Sequence, residues 1–182
     1  MNAEQLLLTR QSTPRLTTPA PTNEQLEFIL NAATRVPDHA SLTPYEFIIA
    51  KDDGLQKLAD AYIHAATLAK AETAVIEKAA KLPFRAPMVI TIATKYSQHP
   101  KVPKIEQTIT AGCAAMVMQQ AAFSLGLGAI WRTGTYAFND DVKLALGIDN
   151  YNDIVGFLYI GTPAVSAPIK PLKNGHDFAR YL

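Results

Sequence analysis

One globular domain that mixes helices with short buried strands is what this chain predicts, on three observations. Tyr45–Ala50, Met88–Ala93 and Asp153–Gly161 are apolar runs of strand length, set off by Pro, Gly or Asp. Around them lie segments with apolar residues at helical spacing. From Gln107 to Trp131 the chain carries no Lys, Arg, Asp or Glu at all.

At 182 residues, 48% apolar and 18% charged, the chain has the size and composition for one substantial core spanning residues 1–182. A formal charge of +1 supplies no bulk field for nucleic acid or an anionic membrane. Cys113 is the only cysteine, so no disulfide forms within the chain; among Ala and Met it reads as an inert buried thiol. The three-Leu run near the N-terminus follows Glu4 and is too short for a signal peptide, so the expected compartment is the cytoplasm.

Taken in order, the N-terminal run reads as a short amphipathic helix. Pro14, Pro19 and Pro21 make residues 13–21 a surface linker. Thr22 and Gln25 have capping-box spacing, and Leu26, Ile29, Leu30 and Ala33 continue as one apolar stripe until Pro37 stops the helix. A polar loop from Pro37 to Pro44 leads into the first strand, and a loop there is a usual place for binding residues. A helix begins at Asp53-Gly54 with a surface continuation over 70–81, and Pro83 and Pro87 end it before the second strand. Asn139 caps a helix over 140–146 that Gly147 stops, and the third strand ends at Thr162-Pro163. The tail from Val165 to Leu182 has no pattern of its own and should lie against other structure, a partner subunit included.

The uncharged stretch could be a membrane span, a buried helix, or a helix followed by a core strand. Its Ala, Gly, Ser and Thr gain little from lipid, and Gln119-Gln120 would sit mid-span. A helix over about 105–125 packed on most sides fits better. Gly126-Leu127-Gly128 then turns the chain into a strand at Ala129-Ile130-Trp131, with Arg132 at its end.

No metal-ligand spacing links His39, His64, His99, His176 and Cys113, and no nucleophile elbow, P-loop or dinucleotide fingerprint is present. Arg10-Gln11-Ser12, Arg35, His39 and Arg132-Thr133 remain, all at the ends of elements. Arginines beside hydroxyls suit a phosphate, although arginines at helix ends also suit the helix dipole. Taken alone, Arg132 reads equally as a surface arginine paired with a carboxylate.

Arg10-x-Ser12-x-x-Arg15, then Arg35-Val36-Pro37-Asp38-His39 and Pro44-Tyr45-Glu46-Phe47, open an ordered series. Ala111-Gly112 through Gly128, Trp131-Arg132-Thr133-Gly134 and Gly156-Phe157-Leu158-Tyr159-Ile160-Gly161-Thr162-Pro163 complete it. Together these resemble the nitroreductase family of FMN-dependent enzymes, and its small single-domain NAD(P)H members most. The resemblance implies an α+β fold, a central mixed β-sheet flanked by helices, in an intertwined homodimer with FMN at the subunit interface. It implies FMN contacts from Arg10, Gln11, Ser12, Arg35, His39, Trp131, Arg132 and Thr133, with Arg132 and Thr133 favoured for the phosphate. In this subgroup Ala121, Ala122, Phe123, Ser124, Leu125 and Gly126 are associated with the nicotinamide nucleotide.

The implied activity is a ping-pong NAD(P)H oxidoreductase. NADH or NADPH reduces the flavin, which passes electrons to a nitroaromatic or similar small-molecule acceptor, and no side chain acts as the catalytic group. Alternatives are reductive dehalogenation on the same flavin, or a flavin-binding sensor without turnover. Two departures stand out: Gln11 occupies a position that is often basic in the family, and Thr43 one that is often Gln.

Overall fold

The computed structural model describes residues 1–182. Its helices are α1 (Ala3–Thr9), α2 (Asn23–Ala33), α3 (Asp53–Leu68), α4 (Thr73–Lys81), α5 (Lys104–Ser124) and α6 (Asp140–Ala145). Its strands are β1 (Leu16–Thr17), β2 (Tyr45–Lys51), β3 (Met88–Thr94), β4 (Gly128–Arg132) and β5 (Ile154–Pro163). The expected linker over 13–21 thus holds a two-residue strand whose length gives no sequence pattern.

Local signals act as the sequence suggests. Thr22 Oγ1 accepts from Gln25 N–H at 3.2 Å and Gln25 Oε1 accepts from Thr22 N–H at 2.9 Å, a closed capping box for α2. Asn139 Oδ1 accepts from Val142 N–H at 3.0 Å and starts α6. Residues 70–81 are a separate helix and not a continuation of α3, because Lys70 adopts a left-handed φ of 52° and the chain doubles back. α3 and α4 then pack on each other as a helical pair.

The sheet has the order β2–β3–β5–β4, with β1 pairing the far end of β5. The expected mixed sheet is corrected here: all four strand pairings within the chain are antiparallel. Two helices connect β2 to β3, which returns the chain to the end it left, so β3 must run opposite to β2. One helix connects β3 to β4, so those two are parallel, but β5 is inserted between them and opposes both.

Alternation across the pleat divides the core into two layers. Met88, Ile90, Ile92, Leu158 and Ile160 face α2 and α5; Val89, Ala93, Phe157 and Tyr159 face α3, Ala79 of α4 and Val142 of α6. β3 is buried on both faces, which is why it reads as an apolar run interrupted only by Thr91 before its final Thr94.

The uncharged stretch is α5 and β4, as expected. Ala111, Ala114, Ala115, Met118, Ala121 and Ala122 are buried, and their small size lets α5 lie close on the sheet. No helix is long and apolar enough to cross a membrane. One stripe of α5 stays uncovered: Ile105, Ile109 and Met116, at helical spacing, are 63%, 57% and 45% exposed.

Candidate functional site

The first motif is stitched to the end of the sheet. Arg10 N–H closes α1 on Leu6 O at 3.0 Å, and Thr13 N–H donates to Ala129 O in β4 at 2.9 Å. Gln119, buried in mid-α5, donates from one amide nitrogen to Ser12 Oγ at 3.2 Å and to Ala129 O at 3.1 Å. A polar residue that counted in the sequence only as an argument against a membrane span therefore ties Arg10-Gln11-Ser12 to β4.

Gln11 holds the tail. Its Nε2 donates to Pro168 O at 3.1 Å, and its Oε1 accepts from Lys170 N–H at 3.1 Å. A lysine or arginine at this position has no acceptor for that second bond. The clamp brings Lys170 and Lys173 beside Arg10 and Ser12 around a 280 Å³ pocket with no carboxylate in its wall. Sequence reasoning missed both lysines; the signal for them was two basic residues flanking Pro171 in a tail that needed something to lie against. Gln11→Lys is expected to loosen the tail by about 1 kcal/mol, the worth of one hydrogen bond. Hydrogen exchange at the Lys170 amide checks this, and unchanged protection would refute it.

The third motif ends β4. Trp131 is engaged with the fold itself: its Nε1–H donates to Val155 O at 3.3 Å, and its ring packs over Gly112 of α5. Val155 is the extra residue where the β3–β5 register shifts, so the bulge turns its carbonyl toward the indole. Arg132, Thr133 and Gly134 instead line a 540 Å³ cavity with Lys78, Arg85, Tyr62, Tyr136, Phe157 and Tyr159, again without an acidic residue. No carboxylate lies within salt-bridge distance of Arg132. Arg132 Nε is buried without a hydrogen-bond partner, and the buried Tyr62 Oη has only the Tyr159 hydroxyl nearby to pair with; both residues belong to walls of this cavity. Burial raises the Tyr159 phenol above its ordinary pKa, while Arg132 and Arg85 pull it back, so both guanidinium fields reach this wall.

The second motif lies elsewhere. Arg35 follows the end of α2 on the surface, and His39 Nδ1 pairs with Glu106 Oε2 at 2.7 Å on the first turn of α5. Asp38 folds the loop by accepting from Leu42 N–H at 3.1 Å and Thr43 N–H at 2.7 Å, and Ala40, Ser41 and Thr43 all take left-handed φ. Glu106 and Gln119 are thirteen residues apart, so the contacts of His39 and Ser12 on α5 are about 20 Å apart along its axis. Within one chain the first motif is tied to Ala129 in β4, the strand that ends in the third motif, and the second contacts α5 about 20 Å from the Ser12 contact.

In the stretch from Ala121 to Gly126, Ala121 and Ala122 are core residues. Ser124 and Gly126 are exposed where α5 ends, with Phe123 and Leu125 half-buried. Cys113 is free and half-buried against the core, less enclosed than its neighbours suggest.

A sequence profile of the Nitroreductase family matches residues 7–162. The chain belongs to the nitroreductase family. Among relatives of this nitroreductase chain, "Putative NAD(P)H nitroreductase YdjA" of Escherichia coli (strain K12) is 43% identical over 167 residues, covering 92% of this chain and 91% of that one. "Putative NAD(P)H nitroreductase" of Haemophilus influenzae is 38% identical over 193 residues and covers all of both chains. Solved structures agree on the nitroreductase fold. A nitroreductase-like family protein from Bacillus cereus superposes with a TM-score of 0.86 at 20% identity, covering 100% of this chain and 96% of that one. A Desulfovibrio desulfuricans protein, described as a "putative nitroreductase in complex with fmn", gives 0.72 at 22% identity over 94% of each chain.

Proposed function

We propose that residues 1–182 form one FMN-binding unit of a homodimeric NAD(P)H oxidoreductase whose acceptors are nitroaromatics or similar small molecules. The observation that carries this reading is the pair of acid-free, cation-lined cavities tied to β4: Arg10, Lys170 and Lys173 in one, Lys78, Arg85 and Arg132 in the other. A flavin mononucleotide has a dianionic phosphate that matches the first, and a flat ring edged with hydrogen-bond acceptors that Arg132, at the edge of the second, can meet. FMN binding in a fold neighbour and the nicotinamide nucleotide in the names of the relatives support the same reading.

The smaller pocket suits the phosphate better than the Arg132–Thr133 pair does. Its three cations surround a space of 280 Å³, and Ser12 adds a hydroxyl. Arg132 is about 10 Å further along, three residues down β4 from Ala129, where Ser12 and Thr13 are anchored. It is thus placed for the ring, with a guanidinium that no carboxylate neutralises. When bound, FMN supplies the hydride chemistry. The chain supplies orientation, and its Arg132 charge favours a ring that gains negative charge on reduction.

A second copy completes the site. His39 and Arg35 are too far from Ser12 to serve the same flavin within one chain, and α5 presents Ile105, Ile109 and Met116 uncovered between those regions. Pairing that stripe with its twin buries it and delivers the second motif of one subunit toward the first and third of the other.

Titration of purified protein with FMN tests the reading. Tight uptake and anaerobic bleaching by NADH or NADPH are expected, and uptake without bleaching would mark a flavin sensor without turnover. Protein that stays colourless overturns it. Arg10→Ala and Arg132→Ala should each weaken FMN binding by about 1.5–3 kcal/mol, roughly ten- to 150-fold. Unchanged affinity in either would make that arginine a plain surface charge.

A further inference from the structure

The 540 Å³ cavity beyond Arg132 holds more than a flavin contact requires. Lys78 reaches it from α4 and Arg85 from the turn before β3, and neither has a carboxylate partner. Its inner wall is aromatic: Tyr62 stacks on Tyr136 with centroids 4.3 Å apart and meets Phe157 edge-on at 5.5 Å, while Tyr159 lies 5.7 Å from the Arg132 guanidinium carbon. The Tyr62 hydroxyl, in a residue 1% exposed, is shut off from the cavity space and has the Tyr159 hydroxyl as a polar neighbour. A cluster of like charges without counter-charge costs free energy, so the native cavity is suited to a guest that supplies an anion beside an aromatic face.

We propose that this cavity binds the electron acceptor, and that it selects planar aromatic acceptors carrying an anionic group such as a carboxylate. Arg85 and Lys78 take the anion at the mouth, and Tyr136, backed by the buried Tyr62, takes the ring. Arg132 and Thr133 form the boundary with the flavin ring. The proposal rests on the FMN reading above and adds a substrate class to that site. A neutral nitroaromatic would satisfy the aromatic wall and leave the cations as bare as before.

The test is equilibrium binding of 4-nitrobenzoate and of its neutral isostere 4-nitrobenzamide to FMN-loaded protein, with flavin occupancy recorded first by absorbance. The carboxylate should bind at least about tenfold more tightly than the amide, the low end for charge-assisted hydrogen bonds, and added salt should shrink the difference. Arg85→Ala, at an exposed position that does not threaten folding, should abolish most of the preference. Tyr136→Leu, which trims the accessible aromatic wall, should weaken both ligands alike and leave the carboxylate preference intact. Equal binding of the two ligands, a preference that survives Arg85→Ala, or displacement of FMN by 4-nitrobenzoate would each overturn the proposal. Protein that takes up no FMN yet still prefers the carboxylate would sink the flavin reading and support the anion cavity.

Discussion

Ile109→Glu is expected to convert the protein to monomers and to remove FMN binding with them. Ile109 is 57% exposed at the centre of the uncovered stripe on α5, so in one chain a glutamate there touches water and leaves stability within about 0.5 kcal/mol. In a symmetric pair it meets the apolar face of its partner twice, once from each side. Each charge must then be desolvated without a counter-ion, and a penalty of about 3 kcal/mol weakens association more than a hundredfold. The effect on FMN follows from the 20 Å that separate His39 from Ser12 along α5. If the flavin needs both, its affinity in the unmodified protein must fall on dilution, and Ile109→Glu must show the diluted behaviour at any concentration. Sedimentation and FMN titration on the same samples measure the two together. A variant that becomes monomeric and keeps full FMN affinity would place the whole site in one chain.

Legibility in the sequence followed the range of the interaction. Elements set by local chemistry were readable: the Thr22–Gln25 box, the Asn139 cap, and β3, whose nearly continuous apolar run is the pattern of a strand covered on both faces. The break between α3 and α4 was not, because Lys70 turns left-handed without glycine or proline to announce it. Strand direction was not readable either, since it depends on β5, a strand from late in the chain, inserting between β3 and β4.

The site divides in the same way. Arg10, Ser12, Arg132 and Thr133 stood out as cations and hydroxyls at element ends; the fold ties the first two to the start of β4 and carries the other two at its end. Lys78, Arg85, Lys170 and Lys173 looked like ordinary surface charges. Only tertiary structure shows that they line cavities without acidic neighbours. Gln11 looked like a loss of charge at a flavin contact. In the fold it exchanges one charge for a clamp on the segment that carries two lysines.

Gly156→Ala should destabilise the protein by about 3 kcal/mol, a cost at the top of the usual range for forcing atoms into a packed site. An ideal Cβ at this position would lie 2.1 Å from Trp131 Nε1, 2.7 Å from its Cδ1 and 2.8 Å from Arg132 O. The glycine exists because the Val155 bulge tips the indole across β5, so that Nε1–H can reach the Val155 carbonyl at 3.3 Å. An alanine must push the ring away, breaking that bond and lifting Trp131 off Gly112 of α5, or else push the Arg132 backbone toward the cavity. Either movement disturbs the strand end that positions Arg132 and Thr133, so FMN affinity should fall along with stability. For a chain of this size the thermal midpoint should drop by roughly 6–12 °C. Trp131→Phe gives the decisive comparison, because it removes the Nε1 atom that the new methyl strikes. In a double-mutant cycle the two changes should cost less together than their sum, with a coupling of at least about 1 kcal/mol. Strict additivity would mean that the alanine is accommodated without moving the indole, and that Gly156 is dispensable as its seat.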